Sequence, residues 1–148
     1  MSLDTYSKME LRDLVESDLD YCKSHDISRN KFTDPDERVD FAWTLEHEGQ
    51  ILGIGGIQKI TDCCAWAWIS MTPDALKHIP TIFRTLREYT VQVCQSVGIT
   101  RLQAWSVIGF EESRRLLEHL DFEKEGKPMQ DFVDGKPAQL YVRFIGSA

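Results

Sequence analysis

The chain has 148 residues, 42% hydrophobic and 28% charged. That fits one soluble globular domain with an ordinary core and argues against a wholly disordered chain. Seventeen Lys and Arg against 24 Asp and Glu leave a net charge of −7. This gives no support to nucleic-acid or anionic-membrane partners. No apolar run approaches the ~20 residues of a membrane helix. Cys22, Cys63, Cys64 and Cys94 match no zinc spacing, and no basic-then-apolar leader is visible. The expectation is therefore reduced thiols in the cytoplasm, with no metal site.

In chain order, Met9–Leu14 alternates and predicts a short strand. Ser17 caps a helix running to about His25, and Thr33-Asp34-Pro35-Asp36 starts a short one ending near Val39. Phe41–Glu46, Ile51–Ile60 and Ala65–Met71 alternate as three successive strands turned at Glu48-Gly49-Gln50 and Thr61-Asp62. Gly53, Gly55 and Gly56 signal a bulge or close backbone approach in the second. Glu46, His47 and Glu48 are expected as surface charges at the hairpin.

Ile79, Ile82, Phe83, Leu86, Tyr89, Thr90, Val93 and Val97 recur at helical steps, closed by Gly98. Arg84 and Arg87 lie off that apolar face and are expected in solvent. Ile99–Val107 is a strand and Glu111–Leu120 a helix packing through Leu116, Leu117 and Leu120. Phe122–Glu125 and Gln139–Phe144 are the last strands, joined through Lys127-Pro128 and the Asp134-Gly135 turn. Meander strands followed by strand–helix–strand imply an α/β (α+β) domain over residues 1–148, with its core about 9–144. Its mixed, mostly antiparallel sheet has about seven strands, with helices on both faces.

This order resembles the Gcn5-related N-acetyltransferase (GNAT) fold. Met9-Glu10-Leu11-Arg12 with Glu16-Ser17-Asp18-Leu19 is similar to the family's first strand and helix start. Gly49-Gln50-Ile51-Leu52-Gly53-Ile54-Gly55-Gly56 is similar to its second-to-third strand hairpin. Ser113 to Phe122 resembles its late motif, with Ser and Leu positions most like the ribosomal-protein N-terminal acetyltransferase branch. The resemblance implies acetyl-CoA as cosubstrate and an amine of a small molecule or peptide as acceptor. A homodimer is compatible with it.

The departures bear on mechanism. The family's Arg/Gln-x-x-Gly-x-Gly/Ala loop cradles the coenzyme pyrophosphate with backbone amides. Here the stretch is Thr72-Pro73-Asp74-Ala75-Leu76-Lys77-His78-Ile79-Pro80-Thr81, and the two glycine positions fall on about Ile79 and Thr81. Side chains there hinder close approach, and Pro80 lacks an amide. Phe110 stands where the family often has Asn, Leu117 where many members have an acid Tyr, and Asp121 where Gly precedes Phe122. Asp tolerates the left-handed conformation required there.

The implied coenzyme-binding residues are Met71, Lys77, His78, Ile79 and Thr81. Lys77 and His78 either neutralise phosphate in place of lost amides or form an exposed polar loop. Met71 either offers backbone to the pantetheine arm or fills core. Ser106 is the candidate catalytic contributor on the fifth strand, and Tyr141 the late tyrosine that could replace the missing acid. A second resemblance, to small phage internal virion proteins of this fold, implies a binding role without acetyl transfer.

Overall fold

The computed structural model describes residues 9–25 and 41–146. The helix expected over Thr33–Val39 lies outside them. The strands are β1 (Met9–Asp13), β2 (Phe41–His47), β3 (Gln50–Lys59), β4 (Cys64–Met71), β5 (Arg101–Val107), β6 (Glu123–Lys124), β7 (Met129–Val133) and β8 (Lys136–Phe144). The helices are α1 (Glu16–His25), a 3₁₀ helix (Pro73–His78), α2 (Ile79–Val97) and α3 (Glu111–His119). The sheet is mixed and mostly antiparallel, in the order β1-β2-β3-β4-β5-β8-β6, with β7 also on β8. It has eight strands among the described residues, one more than the sequence predicts. None of the described helices is long and apolar enough to cross a membrane.

The residues cluster into two compact units. One holds the described residues up to Gln58 together with Trp68–Ile79; the other holds Lys59–Ala67 and the chain from Pro80 onward. Trp43 and Trp68 fall in the first, Trp66 and Trp105 in the second.

In the first unit, β1 runs antiparallel to β2 from Met9–His47 to Asp13–Trp43. Helix α1 opens at Glu16, one residue before the Ser17 cap expected from sequence, so Ser17 falls inside the first turn. Asp18 does the capping instead: its Oδ2 accepts the Val15 amide at 3.0 Å. This is the reach-back arm of a capping box, made by Asp in place of Glu.

Along β2 and β3 the register steps from Leu45–Gly53 to Glu46–Ile51, leaving Leu52 without a partner on β2. That is a bulge, one of the two outcomes the glycines signalled. The other occurs as well. A Cβ on Gly55 would fall 2.3 Å from the Trp43 ring, and one on Gly56 2.3 Å from Phe41 O and 2.8 Å from the Trp68 ring. These positions are empty so that two indoles and a neighbouring backbone can lie directly on the strand.

In the second unit, β4 pairs with β5 in parallel over Cys64–Trp66 and Arg101–Gln103. β5 pairs antiparallel with β8 from Arg101–Phe144 to Val107–Ala138. Helix α2 buries Ile82, Leu86 and Cys94 and ends at Gly98, whose φ of +79° is the left-handed stop expected. Burial pushes the Cys94 thiol up to about 11 against a smaller opposing pull from Arg143, so it stays protonated.

Arg87 is not simply solvated, as its place off the apolar face suggested. Its Nε and Nη2 donate to the His119 carbonyl at 3.0 and 2.6 Å, placing a cation on the free carbonyl end of α3. Asp121 follows at φ +69°, the left-handed residue expected before Phe122.

β7 is absent from the sequence reading, and β8 starts three residues earlier than expected. The two form a hairpin around Asp134 and Gly135, at φ +50° and +75°, both positive as a two-residue primed turn requires. β7 carries no period-two signal because its pairing is irregular and Asp131 sits at φ +49° within it.

Candidate functional site

The segment after β4 decides what the chain can hold. Its anchor is Thr72, fully buried. Its Oγ1 donates to Ile51 O at 2.8 Å and Leu52 O at 3.2 Å, and its amide donates to Leu52 O at 3.0 Å. Those carbonyls belong to the bulge, so the irregularity in β3 fixes where the chain leaves β4. From Thr72 the backbone enters the 3₁₀ helix Pro73–His78 and passes into α2 at Ile79, with φ −51° and ψ −51°.

A glycine cradle presents successive amides to an anion at an open turn. Helical backbone on both sides of Ile79 leaves no such turn. Ile79 and Thr81 carry side chains and Pro80 has no amide to give. The backbone cradle for the coenzyme pyrophosphate does not fit these residues. What remains is side-chain chemistry: Lys77 exposed, His78 half-buried, Thr81 half-buried. Lys77 and His78 occupy the last turn of the 3₁₀ helix.

His78 meets a residue that sequence reasoning placed on the surface. The His47 ring, at the end of β2, lies 4.5 Å from the His78 ring, centre to centre, tilted by 57°. His47 Nδ1 is buried and has no hydrogen-bond partner among the described residues. Its neighbour Glu46 is also not a free surface charge, because Arg12 Nε donates to its Oε2 at 2.8 Å. Met71 ends β4 half-buried beside Gly53. Met71, Lys77, His78 and Ile79 thus belong to the first unit.

Thr81 and Ser106 belong to the second. Ser106 is buried on β5, 4% exposed, and its Oγ has no hydrogen-bond partner among the described residues. Gln139 stands opposite it on β8, but the Gln139 amide already donates to the carbonyls of Glu125, Gly126 and Leu140. The Ser106 hydroxyl therefore keeps unused hydrogen-bonding capacity inside the fold. Leu117 is buried on α3, at 6% exposure, as part of that helix's apolar edge. Tyr141 is buried on β8, and burial, reinforced by the charge of Glu118, raises its phenol above the usual range while Arg114 opposes. It keeps its proton at neutral pH and is a weaker acid than a free tyrosine.

No protein-family model matches the chain, and no curated protein does. Solved structures do. The ribosomal-protein-S18-alanine N-acetyltransferase of Escherichia coli superposes with a TM-score of 0.73 at 18% identity, covering 95% of this chain and 96% of that one. Ard1 of Thermoplasma volcanium gives 0.77 at 10% identity over 95% and 99%. Spermidine N-acetyltransferase of Vibrio cholerae, solved with CoA and spermine, gives 0.71 at 16% identity over 93% and 96%. Likeness at this identity speaks to architecture, and the architecture of this chain is the Gcn5-related N-acetyltransferase fold.

Proposed function

We propose that the chain is an acyltransferase that takes acetyl-CoA as cosubstrate, binds it weakly, and acetylates an amine of a small molecule or peptide. The observation that carries this reading is the fold, shared over more than nine-tenths of both chains with N-acetyltransferases that act on protein and polyamine amines. Weak binding follows from the helical segment at Pro73–His78 in place of an amide cradle. In this reading Lys77 and His78 offer positive charge to the phosphates, Met71 offers backbone to the pantetheine arm, and Ser106 offers its free hydroxyl to the reacting groups. Holding the two reactants in line supplies much of such a rate.

Thermal denaturation with acetyl-CoA tests this directly. Ligand at 100 times its dissociation constant stabilises a fold by about 2.7 kcal/mol, and a saturable rise in Tm is expected. No rise at millimolar acetyl-CoA overturns the proposal. That result would favour the second reading, a chain of this fold that does not transfer acetyl groups, as in a virion-associated role. The helical segment at Pro73–His78 supports that alternative.

Lys77→Ala separates two roles for the loop. If Lys77 meets phosphate, coenzyme A binding weakens more than binding of fragments lacking the pyrophosphate, and high salt weakens it further. Equal loss for both ligands would assign Lys77 to loop shape alone.

A further inference from the structure

We infer that His47 and His78 form a two-imidazole site for a divalent late transition-metal ion of the nickel–copper class. The inference rests on no part of the acetyl-transfer reading, and an ion bound here would take the His78 side chain that the reading gives to phosphate, leaving Lys77 to that role.

The first observation is the geometry of the pair. The ring centres are 4.5 Å apart and the planes tilted by 57°. With a metal–nitrogen bond of about 2.0–2.1 Å, two imidazoles this close are within reach of one ion. Imidazole suits the late first-row ions, and affinity for such nitrogen sites rises through nickel(II) to copper(II).

The second observation is His47 Nδ1, buried and without a hydrogen-bond partner among the described residues. A buried polar atom of this kind costs free energy unless water or an ion meets it. Neutral imidazole nitrogen is a common metal ligand, and here the partner ring already stands beside it.

The third is how the two side chains are held. His47 closes β2 immediately before the tight turn at Glu48 and Gly49, with φ of +49° and +80°. His78 ends the 3₁₀ helix whose entry Thr72 ties to the β3 bulge. Two separately anchored segments bring the rings together, and such pre-positioning lowers the ordering cost of binding. Among the described residues no group of three or more His, Cys, Asp or Glu stands ready for a metal.

The test uses the full chain without an affinity tag, and NiCl₂ and CuSO₄ alone as probes. A saturable rise in Tm reversed by EDTA is expected with both, and none with MgCl₂. Copper(II) electron paramagnetic resonance should show nitrogen hyperfine structure from two imidazoles. His78→Gln, at a half-exposed position, should fold normally, lose the rise and show one nitrogen fewer. His47→Gln, with its fold verified by circular dichroism, should do the same. Cys63 is exposed and Cys64 half-buried, so a Cys63→Ser/Cys64→Ser variant is run in parallel and should keep the full response. Absence of a nickel or copper response, an equal response to magnesium, a response unchanged in His78→Gln, or one lost with the cysteines would each overturn the assignment.

Discussion

Arg12 grips the Asp18 carboxylate with both terminal guanidinium nitrogens, Nη1 at 2.8 Å from Oδ2 and Nη2 at 2.9 Å from Oδ1. Thr44 Oγ1 adds a third donor at 2.7 Å and the Val15 amide a fourth at 3.0 Å. Asp18 is 2% exposed, and these four donors are what make a carboxylate tolerable there. One side chain thus caps α1, pairs with β1 and pins β2.

The donors hold Asp18 ionised, Arg12 foremost, against the opposing effect of burial. Its pKa falls from 3.8 to about 2. A depressed carboxylate stabilises the fold above its unfolded pKa and loses that contribution as pH falls through the folded value. The shift corresponds to about 2 kcal/mol. Chemical denaturation at pH 7, 4, 3 and 2 should show this contribution fading below pH 4. In Asp18→Asn the acid-dependent loss should be smaller by that amount. A variant with the same acid profile as the wild type would show that Asp18 does not drive it.

Thr72→Val keeps shape but removes the hydroxyl donor from the bulge carbonyls of Ile51 and Leu52. A cost of roughly 1–3 kcal/mol is expected for leaving buried acceptors short of a donor. Hydrogen exchange should show faster amides across 73–79 specifically. Uniform acceleration throughout the chain would mean that Thr72 supports general stability and not this segment.

Gly55→Ala puts a methyl group into the Trp43 ring, 2.3 Å from its nearest atom. Overpacking of this kind costs roughly 1–3 kcal/mol. Trp43→Leu is also destabilising alone, but combining the two should cost less than their sum, because the shortened side chain vacates the site of the clash. Additive urea midpoints would place the glycine requirement elsewhere.

Leu117→Ala should cost about 2–5 kcal/mol, the usual range for a buried leucine. Leu117→Tyr should overpack the same site and leave any acetyl-transfer rate nearly unchanged, since a thiolate leaving group with a thiol pKa near 8.5 needs little acid help. A large rate gain in Leu117→Tyr would show that the missing hydroxyl was limiting.

What could be read before the structure was local. The steps along α2, its Gly98 stop, the β2–β3 hairpin and the left-handed Asp121 all follow from residues within a few positions of one another. The β3 glycines were legible for the same reason, since missing side chains announce a close neighbour without naming it. Trp43 and Trp68 had to be seen to be named. The parts that escaped join distant positions. Thr44 lies 26 residues from Asp18, His78 lies 31 from His47, and Arg87 reaches a carbonyl 32 positions away. The 3₁₀ helix escaped for a different reason: its sequence lacks the glycines of a phosphate loop, but that absence says nothing about what replaces them.

The division of the four indoles between the units furnishes an optical readout of cooperativity. Trp43 lies against Gly55 and Trp68 against Gly56 in the first unit. Trp105 in the second is 37% exposed and edge-on to Phe132 at 5.3 Å. Variants retaining only Trp68 or only Trp105, the others replaced by phenylalanine, would report each unit through its own emission. Coincident transitions would mean that the halves melt as one thermodynamic body; separated ones would mean that each carries its own stability.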